Sequence, residues 1–150
     1  MANDLNTTIT DAVTLNGSVR GSTVTTTQSG IIDVFERIVT CTQGQETTIA
    51  RFAASPYTDP VAIDVDRTKY IRVTNLSATE NIEVAFVGSA TLYQVKLRPG
   101  YSHVLSEGAQ IFLAEADVSP SFGTMESLSS IIVKPVDTTD VQTEIFVALV

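Results

Sequence analysis

The sequence predicts an all-β protein, an antiparallel β-sandwich of jelly-roll-like form with about eight strands. Three observations carry that expectation. Thr, Val and Ile are abundant, and a branched Cβ is stiff in a helix but fits a pleated sheet. Apolar and polar residues alternate with period two in most segments, as strands with one covered face require. Turn signals recur at roughly 10-residue intervals with no helical run between them, so the long crossovers that parallel strands need are missing. With 150 residues, 43% of them hydrophobic and 17% charged, the chain has the size and composition of one folded core.

The N-terminal stretch places Ile9, Val13, Leu15 and Val19 on one parity, with Thr10, Thr14, Asn16, Ser18 and Arg20 on the other. This is the pattern of one covered and one wet face. Gly17 and Gly21 fall on the covered parity, where a glycine either admits a second backbone or marks a bend. Residues 22–30 are Thr-rich, with Val24 their one large apolar member below Gly30. Residues 1–30 are therefore assigned to an extended N-terminal strand or arm, and residues 31–150 to the sandwich. Within residues 31–41, Ile31, Val34, Phe35, Ile38 and Val39 match helical spacing. The segment is also β-branched, and Gln43-Gly44-Gln45 leads from it into alternating Thr48, Ala50 and Phe52, which favours a hairpin while leaving a helix open.

Ser55-Pro56 and Asp59-Pro60 are turn signals. Residues 69–75 put Ile71 and Val73 on one face, residues 75–79 form a short polar connection, and Ile82, Val84 and Phe86 share a face beyond it, together predicting an antiparallel hairpin. Gly88 ends that unit. Tyr93, Val95 and Leu97 then alternate with Gln94, Lys96 and Arg98 up to Pro99-Gly100, a type II turn dipeptide, after which a strand is expected from Tyr101. Ile111 and Leu113 share a parity, 120–123 reads as a loop, and 131–133 and 141–150 read as the last strands. In the final strand Ile145, Val147 and Leu149 alternate with Phe146, Ala148 and Val150. Neither face is polar, so this strand is expected inside a sheet.

The formal charge of −8 comes from 17 acidic against nine basic residues, the latter scattered singly. Phosphate backbones are bound by clustered Lys and Arg, so nucleic acid is excluded as an expected partner. The longest apolar run, 145–150, is too short to span a bilayer, and the N-terminus lacks the basic-then-apolar pattern of a signal peptide. Neither membrane association nor export is expected. A single cysteine, Cys41, rules out an intrachain disulfide and a thiolate-built metal site. Sequons at Asn6, Asn16 and Asn75 read as chance products of a Thr- and Ser-rich chain.

No catalytic, cofactor or metal residues are assigned. The lone histidine, His103, could meet Ser102, Ser106 or Cys41 as nucleophile with Glu107 as acid, but no spacing demands it, and a histidine facing solvent or a neighbouring subunit is preferred. Asp59, Asp64 and Asp66 are the best oxygen cluster for calcium. The stretch from Asp64 opens like an EF-hand loop, yet Lys69 stands where glycine is required and Asn75 where a bidentate Glu is required. A solvated turn is the stronger reading. Nucleotide-binding glycine loops, hydrolase elbows and zinc helices are all missing. With no Trp and four Tyr, sugar stacking is a minor option.

Tyr70-Ile71-Arg72-Val73-Thr74-Asn75-Leu76, then Ile82-Glu83-Val84, then Lys96-Leu97-Arg98-Pro99-Gly100, resemble a pattern in small virion proteins of tailed bacteriophages. The resemblance spans residues 35–105, and Glu144-Ile145-Phe146-Val147-Ala148 resembles the terminal strand of such proteins. It implies a non-enzymatic structural role in a virion assembled in the host cytoplasm, most simply a capsid decoration or cement protein. The implied partners are a major capsid protein or another virion protein, with a homotrimer as the expected oligomer. A tail or neck component and a carbohydrate-binding or fibre-associated sandwich are the alternatives. No catalytic residue, cofactor or metal is implied.

Overall fold

The computed structural model describes residues 3–55, 58–59, 61–114 and 119–150. The strands run in the order β1 (Leu5–Thr10), β2 (Val13–Leu15), β3 (Ser18–Arg20), β4 (Thr23–Gln28), β5 (Asp33–Cys41), β6 (Thr47–Ala53), β7 (Ile63–Asp64), β8 (Thr68–Asn75), β9 (Ile82–Val87), β10 (Leu92–Leu97), β11 (Ser102–Leu105), β12 (Ser130–Pro135) and β13 (Val141–Leu149). No helix among the described residues is long and apolar enough to cross a membrane. Of the turn signals named above, Pro56 and Pro60 lie outside the described residues.

The body is a sandwich of a four-stranded sheet, β11-β8-β13-β5, and a five-stranded sheet, β10-β9-β12-β6-β7. Its antiparallel pairs nest: β9 with β10, β8 with β11, β6 with β12 and β5 with β13. That is one long hairpin rolled up on itself, the jelly-roll connectivity. Its innermost turn closes where the Gly88 N–H donates to the Thr91 carbonyl at 2.7 Å. Gly88 is required there, because a Cβ would meet Glu126 Oε2 at 2.5 Å and the Phe112 ring at 2.8 Å.

Rolling explains why two expected hairpins are not hairpins. The strands at 69–75 and 82–86 exist, but β8 lies in one sheet and β9 in the other. Asn75 makes the crossing. Its side-chain amide donates to the Glu80 and Leu97 carbonyls at 2.8 and 3.1 Å, and its Oδ1 accepts the Ser77 N–H at 3.0 Å. Residues 31–41 likewise hold a strand and no helix, yet β5 and β6 again sit in opposite sheets, joined through Gly44 at φ +70°. A register shift between Ile131 and Ile132 bulges the β6 pairing, so Ile49 and Ala50 are both buried and the simple Thr48, Ala50, Phe52 alternation fails. Near 111–113 no extended strand forms, and it is the intervening Phe112 that bridges to Glu126 and packs against the core.

The core fills the space between the sheets. Ile71, Val73, Ile82, Val84, Phe86, Ile131, Val133, Ile145 and Val147 are all 0% exposed. Each stabilises the fold by roughly 1.5–3 kcal/mol relative to an exposed side chain. β13 lies between β8 and β5, inside its sheet, with the odd-numbered residues from Val141 to Leu149 facing the core. On its outer face Ala148 is fully buried and Phe146 is half-buried, edge-on to the Tyr70 ring at 6.0 Å.

Candidate interaction surface

Residues 5–28 form a single continuous β-ribbon that stands apart from the core. Leu5 pairs with Gln28, Ile9 with Val24, Val13 with Arg20 and Leu15 with Ser18, so one register runs from root to tip. At the tip Asn16 and Gly17 take φ of 52° and 76°, the two-residue turn whose twist matches a hairpin. Gly21, at φ +125°, lets the strands close, since a Cβ there would overlap the Asp11 carbonyl. The expectation of one strand with a covered face needs correcting twice. The turn puts Val19 opposite Thr14 and away from Val13 and Leu15, and this chain covers neither face: Ile9, Val13, Leu15 and Val19 are 57%, 58%, 57% and 74% exposed.

The ribbon is strongly two-faced. Directly paired residues share a face in an antiparallel pair, so Leu5, Ile9, Val24, Val13 and Leu15 lie on one side. Along β1 and β4 the other side is a ladder of hydroxyls and one amide, with Val19 on that side toward the tip: Thr8 bonds Thr25 at 3.0 Å, Thr10 bonds Thr23 at 3.1 Å, and Thr27 donates to Asn6 at 2.7 Å. A root holds the ribbon to the body, where the Ile31 N–H donates to the Asn3 carbonyl and the Ile32 N–H to the Leu149 carbonyl, both at 2.9 Å.

A second feature lies next to that root. β5 is the edge of the four-stranded sheet and pairs with β13 alone. At the opposite side of the sandwich His103 of β11 meets Phe86 of β9 and Tyr93 of β10, which aligns those edges. The fifth strand of the larger sheet, β7, is therefore left over at the β5 side. A cleft of about 730 Å³ opens there, with Phe35, Ile49, Ile63 and Leu149 among its apolar lining. Arg37, Arg51 and Arg67 line it too, with Asp33 and Asp64 beside them and Arg51 held by Asp59. Ile32, Val34 and Ile38, on or beside β5, are 60%, 45% and 57% exposed.

The residues singled out for chemistry do not converge. His103 is half-buried with its ring against Phe86 between the sheets, where the sequence predicts it to face solvent or a neighbouring subunit. Its Nε2 lies 3.2 Å from the Tyr93 hydroxyl, and burial lowers its pKa while pushing that of Tyr93 up to about 12. Both groups are neutral near pH 7, a pair suited to packing. Cys41 is 0% exposed on β5, with two strands between it and β11 across the sheet, a separation of about 14 Å. Ser102 bonds Thr74 at 2.7 Å and Glu107 lies 3.8 Å from Lys69, so neither serves His103. The Asp64 carboxylate accepts the Asp66 and Arg67 N–H groups of its own turn, and Asp59 pairs with Arg51 at 2.8 Å. Among the described residues no three His, Cys, Asp or Glu side chains are grouped to hold a metal ion. The sequon at Asn75 carries a side chain that is 0% exposed with its amide hydrogen-bonded, which a glycan could not reach.

No protein-family model and no curated protein matches the chain. Among solved structures, it is similar to a chain of Bacillus endospore appendages, described as forming a novel family of disulfide-linked pili. The identity is 9% over 81% of this chain and 89% of that one, with a TM-score of 0.45. A likeness at that level carries no inference about function.

Proposed function

We propose that this chain is a non-enzymatic structural protein of a virion, of the capsid decoration or cement kind, which grips a protein neighbour through its N-terminal ribbon. The observation that carries the reading is the ribbon's bare apolar face. An isolated two-stranded ribbon is marginal in water, and aligned Leu, Ile and Val side chains on one that projects from its own core need a surface to rest on. The virion setting comes from the resemblance of residues 35–105 to phage structural proteins, and a trimer would suit three-fold sites on a shell. The sandwich beneath supplies rigidity.

The test uses purified particles. The wild-type chain should be present in them at a fixed ratio to the major shell protein, while the double variant Ile9→Asp/Val24→Asp, folded by circular dichroism, should be absent. Particles that lack the wild-type chain, or that carry the variant at the same ratio, overturn the reading.

A further inference from the structure

We infer that the free edge of β5, with the cleft beneath it, is the acceptor for the N-terminal ribbon of a second copy of this chain. The inference rests on the functional reading above and names the surface that the ribbon meets.

The backbone of β5 is prepared for a further strand. The Leu76 N–H donates to the Gln142 carbonyl, so by antiparallel alternation the even residues of β13 bond β8 and the odd ones bond β5. In register with Val141, Thr143, Ile145 and Val147, the residues Cys41, Val39, Arg37 and Phe35 spend their peptide groups on β13. Those of Val34, Glu36, Ile38 and Thr40 then point to the open side. Val34 bears this out, its N–H being held by the Asp33 carboxylate at 2.8 Å. A nine-residue edge of this kind is one that proteins normally cover or interrupt.

The ribbon fits what the edge lacks. Each of its six-residue outer strands, β1 and β4, has one unpaired edge of its own, shorter than β5. Added beside β5, it would continue the four-stranded sheet over β7, its apolar face turned onto Phe35, Ile49 and Ile63 and its Thr ladder turned to water. One ion pair is open to such a contact: Asp11 lies on the ribbon's apolar face, which also carries Arg20, and the cleft offers Arg37, whereas Arg51 is already paired with Asp59. Arg37 makes no ion pair among the described residues; its guanidinium rests 5.0 Å over the Phe35 ring. The occupant is a second copy because the root is pinned. Folding back onto its own β5 would break the Ile31–Asn3 and Ile32–Leu149 hydrogen bonds and expose Ile31, now 8% exposed. Each copy thus gives a ribbon and receives one, a head-to-tail contact that closes into a ring when the rotation allows.

Full-length variants test this by complementation. Ile9→Asp/Val24→Asp spoils the ribbon and leaves the acceptor intact. Glu36→Pro removes an outward N–H from β5 and leaves the β13 ladder intact, as an edge proline can. By sedimentation the wild type should self-associate and each variant should be monomeric. An equimolar mixture should form a complex of one copy of each and nothing larger, since only one ribbon and one acceptor remain usable. Arg37→Glu, an exposed change that spares the fold, should weaken self-association roughly tenfold. A monomeric wild type overturns the inference, as would be expected of a ribbon that folds back in cis. So does a ribbon variant that still associates, as edge-to-edge pairing of two β5 strands would give, or a failure of the two variants to complement. If β5 variants associate normally while ribbon variants are lost from particles, the ribbon docks on another protein: the functional reading stands and this inference falls. Complementation without any presence in particles does the reverse.

Discussion

His103 lies against Phe86 and Tyr93, at 4.9 and 6.0 Å between ring centroids, and burial is what lowers its pKa. The unfolded chain takes up that proton near the ordinary value of about 6.5, whereas the folded chain resists it. Below that pH the unfolded state binds more protons, so stability present at neutral pH is lost as pH falls, with a slope of at most about 1.4 kcal/mol per unit for one proton. The carboxylates of Glu126, held by the Ala90 and Thr91 N–H groups, and of Asp137, held by Asn81, have lowered pKa values and titrate below this window. The melting temperature is therefore expected to drop between about pH 7 and pH 5, and His103→Gln should flatten that drop. An unchanged slope in the variant would place the titrating group elsewhere. That His103 faces inward was not legible from its neighbours: one histidine beside a Pro-Gly turn fits either parity until the Val73 and Phe86 layers are known. The ribbon's tip, by contrast, was written plainly in Asn16-Gly17, a hairpin signal that period-two counting across residues 9–20 passed over.

At the scale of single elements, strand positions were readable and strand partners were not. β8, β9, β10, β12 and β13 fall where alternation places them, because each buries one face in the same core. Pairing in a rolled hairpin joins the ends of the chain, Asp33 with Leu149 and Cys41 with Val141, and no local pattern encodes a partner that far away. β13 shows what alternation cannot resolve, since both its faces are apolar for different reasons. Val147 is 0% exposed in the core, while Phe146 lies on the outer face, where the Arg72 guanidinium stands 5.8 Å above its ring and also pairs with Glu144. Val147→Asp would bury an unpaired carboxylate at a cost of several kcal/mol, against a total stability of roughly 5–15 kcal/mol. Phe146→Asp would set a carboxylate beside Arg72 at a half-wet surface. Insoluble protein from the first and folded protein from the second is the expected outcome in a parallel expression and thermal-melting comparison. Two equally soluble variants would show that β13 is not central to the core.

For the whole molecule the main division is between a body that closes its own core and a ribbon that contributes nothing to it. Among the described residues the buried core cluster starts at Cys41, and the one buried hydrophobic ahead of it is Ile31, just past the ribbon's root. The cleft is a property of this scale as well: it exists because β5, β7 and the end of β13 meet at one edge, and no reading of any one segment could find it. Among the described residues, deleting 1–30 removes one hydrogen bond to the body, that between Ile31 and Asn3, and no side chain of the core cluster. The truncated chain should therefore unfold in one cooperative transition whose midpoint does not change with protein concentration. The full chain should differ, because association stabilises a folded state by mass action and makes its melting temperature climb with concentration. Measured over a hundredfold concentration range, an upward shift for the full chain and none for residues 31–150 is the expected pair of results. A truncated chain without a cooperative transition would make the ribbon part of the folding unit. A full chain with a concentration-independent midpoint would leave its apolar face without a partner copy.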